Sequence, residues 1–270
     1  MIAMPFDLVA FGEATPGTGD TAAVAVALSD GCYTTSGDDL IVKESAPYLL
    51  GVWAATEAQG ARVVLSQPSL NLNYEFLKNA LLNCNTPSLG MTDYRGRPLP
   101  LVAGEKLNVG VEMIADEDTI VYLLLGSAAI TQNMLDNVRP THVITGEADT
   151  TATAFTWTTV TVTWDQDLPK GLYTPVGLVY SYWKTAAPAM PSAARLIFKS
   201  QPAAAWRPGV VGSYIDKDHE ELQTMDYFPW VDWPQMSGLV FDNNNVPGIE
   251  VCSAEAHTDQ NFQMTLVKVG

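Results

Sequence analysis

Gly60-Ala-Arg-Val-Val-Leu-Ser-Gln-Pro-Ser69 returns, with one inserted lysine, as Ala193-Ala-Arg-Leu-Ile-Phe-Lys-Ser-Gln-Pro202. Other pairs follow in the same order along the chain. Gly12-Glu13-Ala14 aligns with Gly146-Glu147-Ala148 at a separation of 134, and Val24–Leu28 with Val160–Trp164 at 136. Gly51-Val-Trp53 aligns with Gly177-Leu-Val179 at 126, and the Ala-Arg pairs stand 133 apart. Val111–Asp116 aligns with Ala254–Asp259 at 143, after which Leu123 meets Leu266. Separations that scatter about half of 270 residues, in colinear order, indicate two copies of one domain with loops of different length. The expected division is residues 1–128, a linker at 129–140, and residues 141–270.

Composition bounds the function. At 47% hydrophobic and 16% charged, the chain is globular and long enough for two cores. Thirty acidic against fourteen basic residues give −16, a surface that repels phosphate backbones, so direct nucleic-acid binding is not expected. Cys32, Cys84 and Cys252 are widely spaced and form no C-x-x-C pair, which reads as reduced core residues. Met1-Ile-Ala-Met-Pro-Phe6 carries no basic region followed by a long apolar run, so no signal peptide is expected. No stretch approaches the roughly 18 apolar residues of a membrane span.

Alternation and turn residues place strands at 5–14, 21–29, 40–43, 48–55 and 60–67 in the first copy, then at 99–103, 106–114 and 119–126. Between the fifth and sixth, Asn73 caps a run in which Tyr74, Leu77, Leu81 and Cys84 fall at helical spacing. That spacing predicts a short helix over 73–83. The second copy repeats the grammar, with strands at about 141–148, 152–164, 171–175, 176–184 and 193–200. A helix start at Asp218-His-Glu-Glu221 predicts a helix over 218–226, followed by strands near 238–242, 246–256 and 260–269. The threonine-rich run 152–164 is the strongest β signal of the chain.

Few residues nominate chemistry. His142, His219 and His257 lie far apart and belong to no metal-binding spacing, and no nucleophile elbow, phosphate loop or dinucleotide fingerprint is present. No catalytic, cofactor-binding or metal-binding residue is therefore assigned. The acidic turns Asp38-Asp39, Asp116-Glu-Asp118, Asp165-Gln-Asp167 and Asp242-Asn-Asn-Asn245 could offer oxygen ligands to calcium. None has the spacing of an EF-hand loop, and turns favour Asp and Asn for backbone reasons alone. In Tyr227-Phe-Pro-Trp-Val-Asp-Trp-Pro234, Trp230 and Trp233 could close a sandwich core, anchor a subunit contact or stack on a sugar ring.

Eight strands with a helix between the fifth and sixth, twice over, resemble the double jelly-roll major capsid proteins of tailless icosahedral viruses, in particular the short PM2-like and FLiP-like bacteriophage type. The resemblance spans the whole chain and rests on architecture and internal duplication, since that family has no diagnostic short motif. It implies an all-β fold of two tandem eight-stranded jelly rolls, a first over 1–128 and a second over 141–270. It further implies homotrimers that act as pseudo-hexameric capsomers in a virion shell over an internal membrane. Partners would be neighbouring capsomers, minor capsid or penton proteins and that membrane, with assembly in the host cytoplasm. Larger members carry an amphipathic N-terminal segment, whereas here only Met1–Met4 precede the first strand, which puts membrane contact by that route in doubt. The acidic charge and the lack of catalytic constellations agree with a structural, non-enzymatic role. The rival readings are a carbohydrate-binding or host-attachment β-sandwich, working through Trp230 and Trp233, and a tandem β-sandwich enzyme.

Overall fold

A computed structural model of the chain describes residues 6–14, 23–28, 32–56, 60–70, 73–77, 92–113, 118–127, 140–184, 192–200, 203–211, 213–216, 231–232 and 239–270. The described residues are all-β apart from one 3-10 turn, Ala203–Ala205. The expected linker, apart from Pro140, and the expected helix at 218–226 fall outside them.

The first half contains β1 (Phe6–Glu13), β2 (Ala23–Ala27), β3 (Thr35–Ser36), β4 (Asp39–Ile41), β5 (Tyr48–Thr56) and β6 (Gly60–Ser66). It continues with β7 (Tyr74–Leu77), β8 (Thr92–Asp93), β9 (Leu99–Pro100), β10 (Lys106–Met113) and β11 (Thr119–Gly126). One run of neighbours is β1-β11-β5-β8 and another is β2-β10-β6-β7, while β2 also touches β1 and so links the two. Strand alternation sends Val9, Phe11, Val121 and Leu123 of the first run against Val63, Leu65, Val109 and Val111 of the second. Each such side chain contributes about 1.5–3 kcal/mol when fully buried.

The second half contains β12 (His142–Ala148), β13 (Thr158–Val160), β14 (Thr163–Trp164), β15 (Leu172–Lys184), β16 (Ala193–Ile197) and β17 (Gly209–Val211). After these come β18 (Ser213–Asp216), β19 (Val231–Asp232), β20 (Phe241–Asp242), β21 (Gly248–Cys252) and β22 (Thr258–Lys268). Its runs are β12-β22-β15, with β20 on the far side of β15, and β13-β21-β16-β17. This is the pairing order of the first half.

The registers agree as well. Phe11 pairs with Val121 and Ala27, and Gly146 with Phe262 and Trp164. The β5 ladder skips Leu50 just before Gly51, and the β15 ladder skips Val176 just before Gly177. Arg62 pairs with Glu112, and Arg195 with Glu250. These registers keep two of the expected alignments, Gly51 with Gly177 and Arg62 with Arg195, and correct the others. Phe11, not Gly12, corresponds to Gly146; Ala27 corresponds to Trp164; Leu123 corresponds to Met264, not Leu266; and Glu112 corresponds to Glu250, not Glu255. A one-residue slip would turn every side chain to the other face, which residue identity alone does not detect.

Three expectations about elements change. Residues 74–77 form β7 on the edge of β6, not the start of a helix. Tyr74-Glu-Phe-Leu77 satisfies a period of two as well as it satisfies helical spacing, and the open edge of β6 offers backbone partners that a solvated turn lacks; residues 78–83 lie outside the described set. In 152–164 only β13 and β14 are strands. Local side-chain to backbone bonds hold the preceding residues instead: Thr153 N donates to Thr158 Oγ1 at 3.1 Å and Thr156 Oγ1 to Ala154 O at 3.2 Å. The expected strands 171–175 and 176–184 are one strand, β15, continued through the register shift at Val176.

Candidate functional site

The two halves meet face to face. Alternation turns Leu8, Ala10, Trp53, Ile120, Tyr122 and Leu124 out of the first half's own core. All are buried in one cluster with the second half's apolar residues. Their counterpart is the outer face of the β13-β21-β16-β17 sheet, and polar groups fix the junction. Tyr122 Oη donates to Cys252 O at 2.9 Å, Arg195 Nη1 to Leu8 O at 3.2 Å, and Leu8 N to Arg207 O at 2.9 Å. Phe155, held at φ 51°, lays its ring against Gly12, where no Cβ could fit.

Arg195 is the centre of this junction. It is fully buried, its guanidinium lies 3.7 Å from the centre of the Trp157 ring, and its Nε and Nη2 reach Glu250 at 2.8 and 2.7 Å. The corresponding Arg62 makes the same pair with Glu112, at 2.6 and 2.8 Å, on the outer face of the first half. There its side chain is 38% exposed. The repeated Ala-Arg motif therefore builds one ion pair twice, once inside the molecule and once at its surface.

Asp7 ties β1 to the segment after the 3-10 turn. Its carboxylate accepts from Tyr33 Oη and Lys43 Nζ, both at 3.0 Å, and from Arg207 N. Burial raises its pKa above the ordinary carboxylate value, and the charge of Lys43 partly opposes that.

Among the described residues a second face is left partly open, with Ser181 and Thr265 on it buried. On β12, β15 and β22 the outward positions are Val143, Thr145, Glu147, Val179, Ser181, Asn261, Gln263 and Thr265. Val143 is 51% exposed. An open recess of about 250 Å³ lies there, lined in part by Thr145, Glu147, Asp165, Val179, Asn261 and Gln263. Thr145 closes one wall, its Oγ1 donating to Asp165 Oδ2 at 2.7 Å and its N to Gln166 Oε1 at 2.8 Å. Hydroxyls, amides and two carboxylates make this a polar surface.

No family model matches this chain, and neither a curated protein nor a solved structure does.

The residues singled out in the sequence do not converge. His142 is partly exposed and sits edge-on to Tyr173 at 5.2 Å, while His219 lies outside the described residues. Asp39 accepts from Asn108 at 3.0 Å and pairs with Lys106 at 3.4 Å. Asp242 turns onto its own loop, accepting from Asn245 Nδ2 and Asn244 N, and those bonds hold its pKa below the usual value. Among the described residues no three His, Cys, Asp or Glu side chains gather as metal ligands. Trp230 and Trp233 lie outside the described residues, as do Cys84, Asp116 and Glu117. Cys252 is a buried free thiol whose pKa burial pushes up, and Cys32 is partly buried with its Sγ donating to Ala204 O.

One cluster was not visible in the sequence. Tyr180 Oη lies 2.7 Å from His257 Nε2 and 3.1 Å from Ser192 Oγ, and Ser192 Oγ donates to Cys252 O at 2.9 Å. The His257 ring packs 4.1 Å from that of Tyr182. All three polar residues are buried, and burial pushes the Tyr180 phenol well above its ordinary value. The Ser192 hydroxyl spends its proton on a backbone carbonyl, so the group satisfies core polar atoms. Only the register of β15, β16 and β22 brings these residues together.

Proposed function

We propose that this chain is a major capsid protein of a tailless icosahedral virus or bacteriophage. In this reading each half is an eight-stranded jelly roll, and three chains form a pseudo-hexameric capsomer of six sandwiches. Capsomers tile the virion shell over an internal membrane, and the protein's work is structural rather than catalytic.

The observation that carries the reading is the recurrence, in both halves, of one pairing order with matching registers. Taking β1, β2, β5, β6, β7, β8, β10 and β11, and in the second half β12, β13 with β14, β15, β16, β17, β20, β21 and β22, as strands one to eight, the runs of neighbours are 1-8-3-6 and 2-7-4-5, which supports the jelly-roll reading. The same register shift before a glycine and the same Arg–Glu pair recur at corresponding positions. Two such units buried against each other by one face each form a compact brick with a face of each unit left over. Such a brick suits repeated assembly.

Electron microscopy of the purified protein tests the proposal. Three-fold particles with six lobes, and curved arrays or shells at high concentration, are the expected images. Isolated two-lobed particles at every concentration would contradict it.

A further inference from the structure

We infer that the partly open face of β12, β22 and β15 receives the outer face of β2, β10 and β6 from a second copy of this chain, in the arrangement that the two halves already use within one chain. The inference rests on the trimer reading above and names the surfaces that would make it.

Within the chain, the first half's β1-β11-β5 face covers the second half's β13-β21-β16 face. The two patches are different, so the contact is head-to-tail and leaves one patch of each kind without a counterpart among the described residues: β12-β22-β15 on the second half and β2-β10-β6 on the first. Head-to-tail contacts that repeat close into rings when the rotation allows. Those two patches correspond, strand for strand and register for register, to the pair already joined.

Three details match the two surfaces. Arg62 stands where Arg195 stands, and Arg195 reaches the carbonyl of Leu8, whose counterpart across the proposed contact is Val143. The β2-β10-β6 face presents Arg62, paired within the chain with Glu112, and the half-exposed Lys106, paired with Asp39, while the facing recess carries Glu147 and Asp165. The recess exists because Val179 and Gln263 take the positions of the larger Trp53 and Tyr122. An incoming side chain fills that space. Because the face is polar where its twin is apolar, this contact forms between folded chains and weakens with salt.

The test compares solution mass for the wild type, V143E/Q263E on one face, V26E/V64E on the other, and V269E as a control at an exposed site outside both. The expected result is a trimeric wild type and control, with both double variants monomeric and melting cooperatively. Milder single changes, E147R and K106E, are expected to weaken association about tenfold, and they serve if a double variant misfolds. A wild-type trimer that persists in either folded double variant, or that E147R and K106E leave unaffected, would overturn the inference while sparing the trimer. A monomeric wild type would overturn the trimer reading itself.

Discussion

Leu8, Ala10, Ile120, Tyr122 and Leu124 occupy, in the first half, the positions that Val143, Thr145, Asn261, Gln263 and Thr265 occupy in the second. The backbone is equivalent, yet one set is sealed inside the molecule, whereas Thr145, Asn261 and Gln263 of the other line an open recess and Val143 is 51% exposed. The sheet needs only alternation, and either set supplies it. What differs is the partner: a face covered during folding is apolar, whereas a face presented by the finished chain is hydroxyl- and amide-rich. An all-apolar second face would be a large exposed patch and an aggregation hazard.

The sharpest way to break this comparison is to remove the same arginine from each copy. Arg195→Ala leaves Glu250 without its partner at a sealed junction and should cost about 3–5 kcal/mol in urea unfolding. Arg62→Ala removes the matching pair where the arginine is 38% exposed, so water can reach the buried Glu112 carboxylate it leaves, and should cost less, about 1–3 kcal/mol. Equal losses would mean that the two sites are not the inside and outside versions of one interaction. Gly12→Ala forces a Cβ into the Phe155 ring and should cost about 1–3 kcal/mol, read as a lower urea midpoint with unchanged slope. Glu147→Ala, at the matching surface position, should stay within about 0.5 kcal/mol.

Tyr122→Phe deletes the hydroxyl that bonds Cys252 O, a carbonyl that Ser192 also serves, so its cost should be close to 1 kcal/mol. The smallest effect is on pH dependence. Asp7 has a folded pKa above its ordinary 3.8, so its contribution to stability is fully present below 3.8 and is lost as pH rises through the folded value. Asp7→Asn should flatten that acid-side segment of the stability curve. A curve of unchanged shape would mean that Asp7 carries no raised pKa.

Much of the fold was legible because alternation and the Ala-Arg repeat are local signals, and both survive in the structure. Gly51 with Gly177 and Arg62 with Arg195 were found at the right separations. Gly12 with Gly146 misled by one residue, because an identical Gly-Glu dipeptide outweighed the face on which each glycine lies. The β7 segment was misread because Tyr74 fits two periods at once, with Leu77 at helical spacing and with Phe76 at strand spacing, and the choice belongs to the edge of β6. The run before β13 was misread because the Thr156 and Thr158 hydroxyls bond to nearby backbone, which no propensity scale records. Of the site, Thr145, Asn261 and Gln263 gave no signal; polar residues on a strand look like any solvated face until the twin face is seen to be covered.

The most direct test of two sandwiches per chain assembling by threes is the mass of the purified protein by light scattering over a wide dilution series. The account predicts three times 29.2 kDa, with dissociation only at the lowest concentrations or high salt. A single species of 29.2 kDa at every concentration would contradict it.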